Sequence, residues 1–417
     1  MRRPTTFALR YYAYRATAAA GFTAPIWYLY LYANGLSYAE VALVNAVWWT
    51  GLLAFELPTG YLGDRIGRKE SLLIGTATVT IATLAMIPAD SVATFALVFA
   101  VWAAGQTFRS GTDDAWLYDA IDGRDDAGQL STTSSGTESR FLRLKSRGTA
   151  VALVATGVTA LVGGWLAELQ MASTFLAAAG ASALGLPILA TFPTSRDPEE
   201  DRLGTFEALP VLREELWVPG IRSFVLLIGL FTGVHWGVNF FVQPVSVELG
   251  VSRTGLGVLY AGFTGLGALG SYRAEWIADR VGIDTWFRAV PIGLAGVLVG
   301  VALFPTLAIP AFVAIRTAKS ASQPLAASWL NDRIGSVGRA TVLSAQGMVA
   351  TALTVPFELG AGSVAELLGP LPTVGVFGGI LGVGALVILV GGRPFRAEGA
   401  PPQDTAQGSD GTVGADG

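Results

Sequence analysis

Arg316 and Lys319 stand in the middle of an apolar stretch, 307–330; Arg15, Arg109 and His235 interrupt the apolar stretches 8–33, 92–118 and 223–248. A fixed cation in hydrocarbon costs about 3 kcal/mol on insertion scales, so something anionic must answer each one. One answer is internal, from Asp113, Glu56 or Glu358. The other is an anionic ligand, a carboxylate or phosphate, with Arg316 and Lys319 as its principal contacts. Polar neighbours extend the set at helical spacing: Thr232, His235, Asn239 and Gln243 share one face, as do Trp102, Gln106, Arg109 and Asp113. The candidate substrate contacts are therefore Arg15, Arg109, His235, Asn239, Arg316, Lys319 and Gln323.

Three residues are candidates for carrying a proton. Glu56 precedes Pro58 and lies about 12 Å of helix from the charged turn at Asp64, too deep for free hydration. An intramembrane carboxylate is a functional candidate by default, although a helix–helix hydrogen bond serves Glu56 equally well. Asp113 is spaced to pair with Arg109 one helical turn earlier. His235 has the side chain whose ordinary titration falls near neutrality, with a plain hydrogen-bonding role as its rival. With no cysteine and one histidine, thiolate chemistry and a histidine zinc site are excluded. A glycine-lysine phosphate loop and a nucleophilic constellation are also missing. An enzyme and a cofactor are not expected, and the basic residues do not cluster for nucleic acid.

The elements that must position these groups are apolar helices. Of the 417 residues, 52% are hydrophobic and 14% charged, against about 25% charged in soluble domains. Apolar segments fall at 8–33, 38–59, 71–88, 92–118, 148–168, 172–192, 223–248, 254–276, 287–304, 307–330, 340–366 and 371–391. The arginines within 8–33 argue for an uncleaved first span rather than a signal peptide. Lys and Arg outside these segments fall almost entirely in alternate gaps, with Arg253 on the other side. That asymmetry places both termini in the cytoplasm. The chain also repeats: Ala278-Asp279-Arg280-Val281-Gly282 echoes Gly63-Asp64-Arg65-Ile66-Gly67, and Trp329-Leu330 echoes Trp116-Leu117. Two halves follow, 1–193 and 223–396, joined by a linker over 194–222 and followed by a disordered tail at 397–417. Within the linker, 206–218 is expected to form a short surface helix.

The turn Gly60-Tyr61-Leu62-Gly63-Asp64-Arg65-Ile66-Gly67-Arg68-Lys69, with Glu56-Leu57-Pro58-Thr59 before it, resembles the loop between helices 2 and 3 of major facilitator superfamily transporters. The Glu-x-Pro-Thr-Gly run is similar to members near the drug:proton antiporter branch, although 148–168 lacks the proline those antiporters often carry. The resemblance implies an all-α membrane protein with twelve transmembrane helices in two pseudo-symmetric six-helix bundles. It implies a cytoplasmic latch of Gly60, Asp64, Arg65, Gly67, Arg68 and Asp119, with Asp64 facing the start of helix 11. It implies a monomeric plasma-membrane transporter working by alternating access. Proton-coupled export of a small organic solute, with organic anions among the candidates, is the leading expectation. Uptake by symport or uniport, and a transporter-like sensor, are the alternatives.

Overall fold

The computed structural model describes residues 6–110, 112–124, 134–192, 219–333, 339–392 and 394–395, and the side chains of Asp64, 122–124, 134–137, 219 and 339–346 lie outside the description. The expected 206–218 helix, most of the linker and the 397–417 tail also fall outside it. What is described is almost wholly helical. Helices start where the sequence offers caps. Ser37 and Glu40 form a reciprocal capping box at the head of α3 (Tyr38–Ile66), and Ser91 and Thr94 form one at α5 (Val92–Arg109).

Three stretches expected as single spans are broken. The first is α1 (Thr6–Ala18) followed by α2 (Trp27–Ala33). The fourth is α5 followed by α6 (Thr112–Arg124). The seventh is α9 (Pro219–Asn239) followed by α10 (Val242–Glu248). Pro244 has no N–H and its ring collides with the carbonyl four residues earlier, so the seventh stretch parts at Phe240–Phe241; Pro25 acts similarly after Gly21.

The remaining helices are α4 (Arg68–Ala85), α7 (Ser134–Leu169), α8 (Met171–Ala190), α11 (Arg253–Tyr272), α12 (Ala274–Arg280), α13 (Ile283–Leu303), α14 (Ala308–Asn331), α15 (Arg339–Leu368) and α16 (Pro370–Val387). Among the described residues, eight helices are long and apolar enough to cross a membrane by length and composition. The expectation of twelve is not fully met by that measure. The stretch 6–33 is interrupted, α4 opens on Arg68-Lys69-Glu70, α11 is glycine-rich, and α14 carries Arg316 and Lys319. Outward faces leave Leu97, Val154, Leu184 and Val383 open, an apolar surface that only lipid or a partner can cover.

The repeat seen in sequence is visible in the backbone. Gly67 ends α3 at φ 103°, and Gly282, its counterpart 215 residues on, ends the α12 turn at φ 82°. Both conformations exclude most side chains, which is why each motif ends in glycine. Trp116 and Trp329 are both fully buried, each among aromatics of its own half. Trp116 meets Tyr14 and Phe192, while Trp329 stacks on Phe224 at 3.9 Å and meets Phe395 edge-on. These rings form matching cores at one end of the two halves.

The halves meet along two seams, α3 against α15 and α7 against α11. Glycine makes each possible. A Cβ at Gly164 would stand 2.7 Å from the Gly257 Cα, and one at Gly362 would stand 2.6 Å from the Tyr38 carbonyl oxygen. Both points lie toward the face opposite the 63–69 turn, here called distal. Gly164→Leu is expected to wedge that seam at a cost of about 1–3 kcal/mol. The check is distal-face cysteine labelling in the otherwise cysteine-free chain, which should rise; unchanged labelling would refute the seam's importance.

Candidate functional site

Three adjoining cavities separate the halves. A vestibule of ≈ 600 Å³ lies nearest the 63–69 turn, walled by Trp48, Glu56, Gln106, Arg109, Asp113 and Thr351 among others. A second cavity of ≈ 400 Å³ borders Thr232, His235, Trp236, Lys319 and Gln323. A third of ≈ 400 Å³ borders Trp27, Trp48, Trp49, Trp102, Trp236, Asn239, Arg316 and Glu358. Shared walls join them: Trp48 belongs to the first and third, Thr351 to the first and second, Trp49 and Trp236 to the second and third. The helix breaks at α1/α2 and α9/α10 flank this space, where irregular backbone is tolerated in a membrane.

Hydrogen bonds between the halves gather at the distal end. Gln243 is their centre. Its Oε1 accepts from the N–H of Tyr28 at 2.8 Å and of Leu29 at 3.2 Å. Its Nε2 donates to the Ala24 carbonyl at 2.8 Å and to the Tyr260 hydroxyl at 3.0 Å. The start of α2 leaves N–H groups without helical partners, and Gln243 from the other half answers them. Tyr28 and Gln243 are themselves 215 residues apart, so positions equivalent in the repeat meet at its axis. Arg253 adds a bond to the Ala167 carbonyl, and Glu366 accepts from Ala39 N–H. The distal end is therefore closed and the vestibule lies at the other end.

Arg316 and Asn239 are brought together as helical spacing could not reveal. The Arg316 Nε donates to Asn239 Oδ1 at 3.0 Å, and Nη2 donates to the same oxygen. The guanidinium sits over the rings of Tyr260 at 4.8 Å and Phe263 at 4.5 Å. Among the described residues neither Arg316 nor Lys319 has a carboxylate within ion-pair distance. His235 is buried beside Trp236 with its Nδ1 unpartnered, as is the Thr232 hydroxyl.

Arg15 and Arg109 are differently employed. Arg15 pairs with Asp113 at 3.0 Å, and Tyr14 donates to the same carboxylate at 2.9 Å. Arg109 instead donates to Gln106 and to the Ala18 carbonyl. The expected Arg109–Asp113 pairing is thus not formed, because the helix breaks between α5 and α6 and destroys the one-turn relation. Glu56 also departs from expectation: it is exposed along the vestibule rather than enclosed, since the gap between the halves reaches its depth.

The latch residues bind within one half. Arg68 pairs with Asp119 and donates to the Ala115 carbonyl at 3.0 Å. Lys69 reaches the Phe192 carbonyl at 2.5 Å. Arg65 is exposed, with its guanidinium 4.4 Å from the Tyr61 ring centre. A Cβ at Gly60 would meet nothing within 4 Å, whereas one at Gly67 would crowd Glu70. The expected approach of Asp64 to helix 11 lies outside the described side chains.

Two features take their meaning only from the fold. The tryptophans of the third cavity come from four separate segments, and only their convergence makes them a wall. Glu358 is 1% exposed. Neither oxygen of its carboxyl has a hydrogen-bond partner among the described residues. As a carboxylate in the apolar run 340–366 it is a candidate counter-charge to the buried cations, but among the described residues no Lys or Arg pairs with it.

Known proteins resemble this one along most of its length. The family model described as Major Facilitator Superfamily matches residues 14–354. The uncharacterized MFS-type transporter YxaM of Bacillus subtilis (strain 168) is 24% identical over 386 residues, 89% of each chain. A mutant form of the nucleoside transporter NupG superimposes with TM-score 0.77 at 12% identity, covering 94% of this chain and 99% of that one. A D-xylose–proton symporter gives TM-score 0.65 at 14% identity, over 92% and 95%. At such identities the solved structures speak to fold alone.

Proposed function

This chain belongs to the Major Facilitator Superfamily and is a multi-pass membrane transporter, not an enzyme, and from that premise we propose that it exports a small organic anion in exchange for protons. The observation that carries the anion is the pair Arg316 and Lys319, which border the space between the halves with no carboxylate partner among the described residues. Fixed cations there are costly until a bound anion answers them. His235, Asn239 and Gln323 supply the remaining polar contacts, while Arg15, paired with Asp113, and Arg109, beside Gln106, serve the adjoining vestibule. Glu56, Asp113 and His235 are the groups proposed to carry the proton. Glu56 on the open vestibule is reached by water in this conformation.

The Lys and Arg asymmetry supports a plasma-membrane protein with both termini and the vestibule facing the cytoplasm. The halves then rock about the central space, the Arg68–Asp119 pair holding its half rigid and Asp64 engaging the other half when the vestibule closes. The absence of proline within α7 favours a second reading, uptake by symport or uniport.

Purified protein in proteoliposomes, given radiolabelled benzoate, salicylate and succinate, tests this. An imposed pH gradient is expected to drive accumulation of at least one of them. Equilibration without accumulation would overturn proton coupling. Binding without flux would overturn transport and favour a sensor.

A further inference from the structure

We propose that the third cavity selects a flat aromatic acid that also carries a hydrogen-bond donor, a specification of the anion that rests on the preceding reading. Five tryptophans border a space of ≈ 400 Å³, within the roughly 300–1,000 Å³ of small-molecule sites. Trp27 and Trp102 lie 4.5 Å apart at 60°, and Trp102 meets Trp48 edge-on at 5.7 Å. Trp49 meets Trp236 edge-on across the two halves at 5.1 Å. All five remain only partly buried; Trp27, Trp48 and Trp102 pack against the core with part of their surface and border the cavity as well. Tryptophan at a membrane protein's surface commonly marks the lipid interface, but these line the gap between the halves. These rings already pair with one another at the 4.5–7 Å separations that aromatic pairs prefer, so a ligand ring would meet the outer surface of the wall rather than slot between them.

The polar groups of this cavity narrow the choice. Gln243 has spent its four hydrogen bonds on the distal seam. Asn45 donates to the Val41 carbonyl of its own helix, and Asn239 accepts from Arg316. Arg316 retains hydrogen-bonding capacity, since a guanidinium has five N–H groups and Asn239 occupies the Nε and Nη2 positions. Tyr260 and Phe263 lie against it, so its edge is what it offers a ligand. Glu358 borders the cavity with both oxygens enclosed and, among the described residues, unpartnered. One planar cation with free N–H edges suits a carboxylate. One unsatisfied carboxylate suits an N–H donor. Between them stand aromatic rings. The solute that answers all three is a planar ring with an acid on one side and an N–H on the other.

Calorimetric titration of the full-length protein in detergent tests this with indole-3-acetate, cyclohexylacetate and tryptamine as probes. Indole-3-acetate is expected to bind about tenfold tighter than cyclohexylacetate, from ring contacts alone. Trp102→Leu and Trp236→Leu are each expected to remove most of that preference, and Trp236→Phe to keep it. The phenylalanine variant guards against a folding defect, checked by gel filtration. Equal binding of the two acids would overturn the ring preference while leaving an organic-anion transporter standing. Tighter binding of tryptamine would overturn the acid, and with it the anion reading. No binding of either indole probe by folded protein would overturn the proposal, whereas proteoliposome flux judges transport separately.

Discussion

Gln243→Leu is expected to open the distal face. The substitution removes the acceptor of the buried Tyr28 N–H and of the partly buried Leu29 N–H, and the donor to the Ala24 carbonyl and the Tyr260 hydroxyl. A buried polar group left without a partner costs about 1–3 kcal/mol, so the Tyr28 N–H alone withdraws that much from the closed seam and the Leu29 N–H adds less. Opening that end restores water to them, which is why the loss acts on the conformational equilibrium more than on folding. Moving an equilibrium from 1:99 to 99:1 takes about 5.5 kcal/mol, so a loss of this size raises the open population without having to reverse the balance outright. Spin labels at Ala33 and Leu367, both exposed near the distal ends of opposite halves, are the reporters. Absence of native cysteine makes their attachment specific. The inter-label distance should lengthen in the variant. An unchanged distance distribution would show that the Gly164–Gly257 and Gly362 contacts hold the seam without Gln243.

The second large effect concerns the cations. Arg316→Lys keeps the charge but loses the fork that grips Asn239 while offering an edge to a carboxylate, so the substitution is not conservative here. A charge-assisted hydrogen bond contributes about 1.5–3 kcal/mol, and its loss should weaken indole-3-acetate binding at least tenfold. Lys319→Met should behave differently. Lys319 borders the second cavity with no ion pair among the described residues, so an apolar side chain of similar length relieves desolvation. Replacing buried charge with apolar bulk is often neutral or stabilising by about 1–4 kcal/mol. The apo protein's melting temperature should hold or rise while anion affinity falls. A large drop in stability would instead identify Lys319 as a structural group.

The Arg15–Asp113 pair contrasts with these. It satisfies both charges across α1 and α6, helped by Tyr14. Breaking it strands a charge, so it serves the first half's integrity before any ligand. From sequence, Arg15 and Arg316 looked alike, each an arginine interrupting apolar residues. Their difference arises only from what packs against them.

That contrast marks the division between chain and fold. The sequence by itself determined the helical, membrane-embedded class, the two-part repeat and the glycine turns at Gly67 and Gly282. Each of these follows from costs paid locally: about twenty apolar residues to cross hydrocarbon, charge confined to its edges, and a backbone angle open to few residues but glycine. Tertiary structure decided the partners. Asp113 chose Arg15, 98 residues away, over Arg109 one turn away, because α5 and α6 do not continue as one helix. Gln243 reached the broken first helix 215 residues back. Tryptophans from four segments became one wall, and Glu56 met water, because the halves close at one end and part at the other. Hydrogen bonds and ring contacts depend on separations of a few ångströms, and no spacing along the chain encodes the distance between two helices that meet only when the bundle is assembled.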